Sequence, residues 1–382
     1  MQRISGAYLC DDSLVKSQVA VGVKNKIQAQ IAAFGKAMDC KLITFKSPYT
    51  IVEKVLKRIP FIMECFKWPD LKEFRDCSYV YIRNPGITKS FILFLKQIKR
   101  LNPSILIVLE LPTYPYDGEF VRLSGKPLLL KDRWNRRHLK KYVDCIVTYT
   151  NEDSIFGIPV INIMNGVDIE SIKCRQPNEV LCDSSILHII CCARFDFWHG
   201  IDRLLEGLYR YRKQFSNRLL MLHLVGDGPA IKNYKNLVKS LELEDCVTFH
   251  GTMNYESYCC LYDQCRIAVE CLGNHRKGCL LSSSLKSREY LASGIPFVYS
   301  GYIDVFEREP VDFCLQLPAD DSSVDVQELM SFCDYLYGSE CPDSISNRIR
   351  SYAERYVAMD RVLEPVIEFI LRNSQCGIET SA

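Results

Sequence analysis

Short apolar runs alternate with amphipathic stretches along the whole chain, and this alternation restricts the fold more than any other feature. Ile4–Cys10, Lys41–Phe45, Tyr79–Ile82, Ile105–Glu110, Cys145–Tyr149 and Val160–Ile163 read as strands. Between the first two, Ile27, Ile31, Phe34 and Met38 recur at helical spacing within Gly22–Met38, so one face of that segment is apolar. The same grammar returns after the turn-like Asn165-Gly166-Val167-Asp168. There Ile186–Ala193, Leu219–Val225, Val247–His250, Ile267–Glu270 and Phe297–Tyr299 read as strands. Gly200–Phe215 and Ser287–Ser293 read as helices, the second closed by Gly294, and Ser344–Asn373 as largely helical with interruptions near Asp360 and Pro365. Repeated β-then-α order predicts an α/β protein whose parallel sheets are covered by helices on both sides. The expected division is 1–165, 166–358, and a terminal helix in 359–382 that packs back toward the first domain.

Composition removes several function classes. Net charge is +2, with 48 Lys and Arg against 46 Asp and Glu, so no global field draws the chain to nucleic acid. No apolar run approaches the ~20 residues of a membrane span, and the opening residues lack an apolar signal core. A cytoplasmic location is therefore expected. The 19 cysteines form no C-x-x-C, which leaves them to be read as reduced, buried, small hydrophobes. One segment, Lys131–Lys141, carries six Lys or Arg against one Asp, with Trp134 and Leu139 among them. Together with the cationic helix Ser90–Arg100 it suits peripheral contact with an anionic membrane face, or simply a solvated surface.

Open parallel sheets bind ligands beyond the carboxyl ends of their strands, so the residues that follow strands matter most. Arg194 follows Ile186–Ala193 and could fork around a phosphate, ahead of a helix that starts near Gly200. Gly226-Asp227-Gly228 opens like a dinucleotide fingerprint, but the sixth position is Ile231, which favours a plain tight turn over a nicotinamide dehydrogenase. Arg276 and Lys277, in His275-Arg276-Lys277-Gly278, suit an anionic ligand or solvent. Lys286 and Glu289 open the helix ended by Gly294, and Glu289 could accept two ribose hydroxyls or merely favour the helix start. No D-x-D triplet, Walker A or G-x-S-x-G occurs, so phosphate charge would be met by Arg, Lys and helix ends without a divalent metal.

Taken in order, Ala193-Arg194…His199-Gly200-Ile201-Asp202-Arg203-Leu204, Leu224–Pro229, Val247–Gly251 and Leu285–Pro296 resemble the family-4 retaining glycosyltransferases of the GT-B fold. Gly22 with Lys24–Ile27 resembles that family's N-terminal glycine loop, and Asn165–Asp168 its interdomain turn. The resemblance spans about residues 1–375 and is strongest over 190–300. It looks most like bacterial members that build surface polysaccharides. It implies two Rossmann-like domains facing across a cleft, with a UDP- or GDP-linked sugar on the second and a saccharide or lipid-linked saccharide acceptor on the first. It further implies that Arg194 binds the diphosphate, that His199 replaces a lysine, and that Glu289 holds the ribose. Gly226, Arg276, Lys277 and Lys286 fall in donor-side motifs, and no cofactor is required. The glutamate expected eight residues before Glu289 is Leu281. That departure keeps a second reading in view, a catalytically weak partner subunit of a polysaccharide-assembly complex. On the acceptor side, Glu110 and the loop Thr113–Glu119, with Asp117, are candidates to orient the acceptor or take its proton, or simply to structure the loop.

Overall fold

The computed structural model describes the chain apart from residues 1–2, 17–20, 49, 51–52, 54–63, 118–124, 184, 216–217, 279 and 380–382. It divides into two compact units, residues 1–166 with 359–382, and residues 167–358.

The first unit is built on strands β1 (Ser5–Asp11), β2 (Asp39–Phe45), β3 (Tyr79–Arg83), β4 (Leu106–Glu110), β5 (Cys145–Thr148), β6 (Ser154–Ile155) and β7 (Ile158–Asn162). They lie in the order β2-β1-β3-β4-β5-β7-β6. Every pairing is parallel except that of β6 with β7. Alternation along the strands sorts the side chains onto two faces. Ala7, Leu9, Val80, Ile82, Ile107 and Leu109 meet Phe91, Phe94, Leu95 and Ile98 of the helix Lys89–Leu101. Thr88 caps that helix by accepting from the Phe91 amide at 3.2 Å. On the other face, Tyr8, Tyr79, Tyr81, Val108 and Val147 pack with Ile27 and Phe34 of the helix Val21–Ala37. The same face takes Val362, Leu363, Val366 and Ile370 from the helix Met359–Glu379, so the end of the chain belongs to this first core. Each such side chain contributes about 1.5–3 kcal/mol when fully buried.

The second unit carries β8 (Ile186–Cys192), β9 (Leu219–Val225), β10 (Val247–Gly251), β11 (Ile267–Val269), β12 (Leu281–Ser282), β13 (Phe297–Ser300), β14 (Tyr302–Ile303) and β15 (Cys314–Leu317). Six of these make an all-parallel sheet in the order β10-β9-β8-β11-β13-β15, while β12 pairs with β14 alone. Leu187, Ile189 and Cys191 of the central strand bury against Ile201, Leu204, Leu205 and Leu208 of the helix Ile201–Gln214.

Two sequence expectations are corrected. Pro365 does not interrupt the tail; it lies inside the helix Met359–Glu379, and the break falls at Val357 and Ala358. The amide lost at Pro365 is offset by the apolar face that Leu363, Val366 and Ile370 bury on either side of it. Gly22 is not a loop glycine but an exposed residue in the first turn of Val21–Ala37.

The described cysteines are free thiols, and burial pushes Cys10 up to about 12 and Cys191 up to about 11. Such thiols are neutral, and they pack as apolar groups.

Three histidines form a chain across β8, β9 and β10. His188 Nδ1 lies 3.0 Å from His223 Nε2, and His223 Nδ1 lies 3.1 Å from His250 Nε2. Burial, then the neighbouring imidazoles, pushes His223 down to about 4. An unfolded histidine takes up a proton near pH 6.5, whereas folded His223 refuses it until pH is well below 5. Stability linked to His223 is therefore full above pH 6.5 and declines as pH falls toward 4. The variant His223→Gln removes that share, so its melting temperature declines less between pH 7 and pH 5 than that of the parent chain. Parallel declines in the two proteins would contradict this.

Candidate functional site

The carboxyl edge of the second sheet gathers most of the donor-side candidates. Its backbone is fixed by interlocked turns. The Ala193 amide donates to Val225 O, the Phe195 amide to Asp227 O, and the Ala230 amide to Phe195 O. Gly226, at φ +124°, lies so close to Ala193 O that a β-carbon would collide with it. This is why the G-D-G turn needs its first glycine, and it gives that turn a structural task. Gly200, at φ +67°, lies against the Leu272–Gly273 backbone, and the Leu272 amide donates to His199 O at 3.0 Å.

Arg194 projects from this frame. It is exposed and, among the described residues, has neither an ion-pair nor a hydrogen-bond partner. An arginine held by a rigid turn with its guanidinium unspent is ready for a phosphate. His199 lies in the short helical turn Phe197–His199 just before the helix Ile201–Gln214. His199 Nδ1 lies 3.0 Å from the Asp196 amide and 3.3 Å from the Asp196 carbonyl; with the closer amide as donor, the ring hydrogen is on Nε2. Burial, then the positive charges of Lys286 and Lys277, push His199 down to about 3. The ring is thus a neutral donor at physiological pH.

Glu289 lies on the helix Leu285–Ser293, which Ser284 caps and Gly294 closes. Tyr258 and Tyr262 donate to its Oε1 at 2.7 and 3.1 Å. Burial raises the Glu289 carboxyl above its ordinary range, with the two tyrosines and Lys286 opposing. Oε2 carries no hydrogen bond among the described residues. One oxygen is therefore pinned and the other is left to accept. Lys286 spends one donor on Glu270 O at 2.9 Å, and its charge reaches both His199 and Glu289.

The remaining candidates are placed differently. Arg276 spends four hydrogen bonds within the unit. Its Nε donates to Asp321 at 2.7 Å, its Nη1 and Nη2 to Asp202 at 2.8 and 2.7 Å, and Nη1 also to Phe197 O at 2.8 Å. This residue braces its loop and is not presented to a phosphate, which corrects the sequence expectation. Lys277 is exposed, its ammonium 5.5 Å from the Trp198 ring centroid. Leu281 is an exposed apolar residue in β12, paired with Tyr302.

In the first unit, Glu110 ends β4 with no exposure. Arg83 Nη1 lies 3.1 Å from both of its oxygens, Lys26 Nζ lies 3.3 Å from Oε1, and Tyr149 donates to Oε1 at 2.6 Å. Burial alone would raise this carboxyl, but the two cations outweigh it and hold it at about 2. So weak a base, enclosed on all sides, is the hub of an ion cluster rather than a proton acceptor, which corrects its catalytic assignment. Asp117 is bound by Arg133 at 2.8 Å and by Arg136 at 3.0 Å, and these arginines hold its carboxyl below the usual range. Its geometry is that of a loop anchor. Gly118 and Glu119 lie outside the described residues.

The sequence reading missed Tyr258 and Tyr262, although their i, i+4 spacing on Tyr255–Tyr262 puts both hydroxyls on one side of a helix. It also missed buried Arg203, which donates to the carbonyls of Ser322, Leu272 and Pro318 and so ties the Gly200 helix to two distant loops. Among the described residues no group of three or more His, Cys, Asp or Glu could hold a metal ion.

Residues 180–301, within the second unit, match the family described as Glycosyl transferases group 1. No curated protein matches the chain. Among solved structures, the fold resembles a glycosyltransferase from Rickettsia africae ESF-5, with TM-score 0.61 and 12% identity over 97% of this chain and 98% of that one. It also resembles Anabaena HepE in complex with UDP, with TM-score 0.61 and 11% identity over 97% of this chain and 100% of that one. A third is sucrose-phosphate synthase from Thermosynechococcus elongatus, with TM-score 0.57 and 13% identity over 99% and 100%. The fold is GT-B, with two Rossmann-like units.

Proposed function

We propose that this chain moves a sugar, with retention, from a UDP- or GDP-linked donor to a saccharide or lipid-linked saccharide in surface-polysaccharide synthesis. The observation that carries the reading is the unspent Arg194 guanidinium, at the end of β8, in a unit that also offers the Nε2 hydrogen of His199 and the open oxygen of Glu289. That HepE was solved with UDP, and in another crystal with UDP-glucose, supports the donor class. In this mechanism the bond between the anomeric carbon and the diphosphate oxygen breaks as the acceptor hydroxyl approaches from the same side. The departing phosphate oxygen takes the acceptor proton, so no side-chain nucleophile is needed. Arg194, His199 Nε2 and the amides that begin Ile201–Gln214 stabilise the growing phosphate charge, and Glu289 accepts from the ribose. A divalent ion has no assigned part. The exposed Leu281 supports the second reading, a weakly active partner subunit.

Thermal shift with UDP, GDP and ADP tests the donor site. At about 100 times Kd, a nucleotide adds about 2.7 kcal/mol, a rise of roughly 5–10 °C for a domain of this size. No shift with any of them, together with no transfer or hydrolysis across a sugar-nucleotide panel, would sink the reading.

No helix among the described residues is long and apolar enough to cross a membrane. Contact with the cytoplasmic face of one is proposed instead. Lys96, Lys99, Arg100, Lys140 and Lys141 line a groove of about 450 Å³, and Leu130 and Trp134 lie exposed one turn apart on Lys126–Asn135. The protein should sediment with vesicles rich in phosphatidylglycerol and be released by 0.5 M salt or by Lys140→Glu with Lys141→Glu. Binding that ignores both changes would dismiss this contact.

A further inference from the structure

Glu270 follows β11 at the carboxyl edge of the second sheet and is 2% exposed. Ser284, which caps the Glu289 helix, donates to its Oε1 at 2.6 Å. Its Oε2 is buried and, among the described residues, has no hydrogen-bond partner. Lys286 spends its bond on the Glu270 carbonyl, not on the carboxylate. Buried carboxylate oxygens are ordinarily satisfied, and leaving one without a donor is costly. Such an orphan, on a residue that is itself bonded to Lys286 and to the cap of the Glu289 helix, calls for a donor supplied from outside the chain.

The neighbouring charges narrow the class of donor. The Lys286 ammonium already sets a positive charge beside Glu270, so a neutral hydroxyl fits better than a further cation. The exposed Leu281 brings no carboxylate to the site. Resting on the donor-site reading above, we propose that Glu270 is the residue that recognises the transferred sugar, its Oε2 accepting a hydrogen bond from a hydroxyl of the donor hexose. Ser284 is the one hydrogen-bond donor to the carboxylate among the described residues, so Oε2 keeps its full capacity to accept from that hydroxyl. A site built to pair a hydroxyl rejects an analogue that lacks it far more strongly than an apolar pocket does. Glu270 thereby sets which sugar is accepted, while Arg194 and Glu289 hold the nucleotide common to all donors.

Calorimetric titration of the full-length protein separates the two roles. Wild type, Glu270→Gln and Glu270→Asp are titrated with UDP alone and with UDP-glucose, UDP-galactose and UDP-N-acetylglucosamine, and with the GDP series if UDP does not bind. The expected result is UDP affinity within twofold of wild type in Glu270→Gln. Affinity for the preferred UDP-sugar falls at least tenfold, and Glu270→Asp recovers part of the loss. Equal affinity of wild type and Glu270→Gln for the UDP-sugar overturns the proposal. So does a matched loss for UDP and UDP-sugar with a lower melting temperature, which would make Glu270 a support for the Ser284 cap. If wild type binds no nucleotide at all, the donor-site reading itself falls and the proposal falls with it.

Discussion

Arg194→Ala should abolish nucleotide-dependent transfer, with a loss of at least about 100-fold in kcat/KM, while the melting temperature of the unliganded protein stays within a degree or two. Both halves follow from one fact. The guanidinium has no protein partner among the described residues, so its removal breaks no internal bond. Surface substitutions of this kind usually change stability by less than about 0.5 kcal/mol. Loss of one fixed donor to developing oxyanion charge costs about 100–1,000-fold in rate. Lysine at this position keeps the charge but not the planar fork, so Arg194→Lys should recover only part of the activity. Steady-state kinetics beside thermal melting decides the matter. Full activity in Arg194→Ala would remove this residue from the site.

Glu110→Ala should do the opposite and destabilise the first unit without a specific effect on nucleotide binding. The substitution strands Lys26 and Arg83, which are 8% and 9% exposed, with no counter-ion. Removing one member of a buried ion cluster costs about 3–5 kcal/mol, a drop of roughly 10 °C in melting temperature for this size of domain. The parent cluster carries a pH signature as well. Because the Glu110 carboxyl is held below its unfolded value, its contribution is complete above the ordinary glutamate range near pH 4.3 and is lost as pH falls toward 2. Thermal and acid unfolding of both proteins, followed by circular dichroism, measures each effect. A variant as stable as its parent would show that Glu110 is not the hub described here, and would reopen its use as an acceptor-side base.

The contrast between these residues also shows how much the sequence discloses. Strand and helix order is readable because periodicity is local, and Arg194, His199 and Glu289 stand out because they follow a strand, precede a helix and lie on one, in that order. Their partners were not readable. Arg276 looks like a phosphate ligand in isolation, but Asp202 and Asp321, which occupy it, come from distant segments. Glu110 draws Lys26 from one helix and Arg83 from the end of another strand. The spare oxygen of Glu270 depends on which way Ser284 and Lys286 turn. Tertiary packing decides such pairings, and no spacing rule encodes them. Pro365 misled for a related reason, since propensity marks a break that a well-buried helix face overrides.

The central claim is that the second unit grips a nucleoside diphosphate with Arg194, the neutral His199 ring and helix amides, independently of any divalent ion. Its most direct test is a crystal structure of the protein grown with UDP, or with GDP if that is the nucleotide bound, in the presence of EDTA. The account predicts phosphate oxygens within hydrogen-bond distance of the Arg194 guanidinium and His199 Nε2, with the ribose hydroxyls on Glu289. A nucleotide seated away from these residues, or one that binds only when a divalent cation is restored, would contradict it.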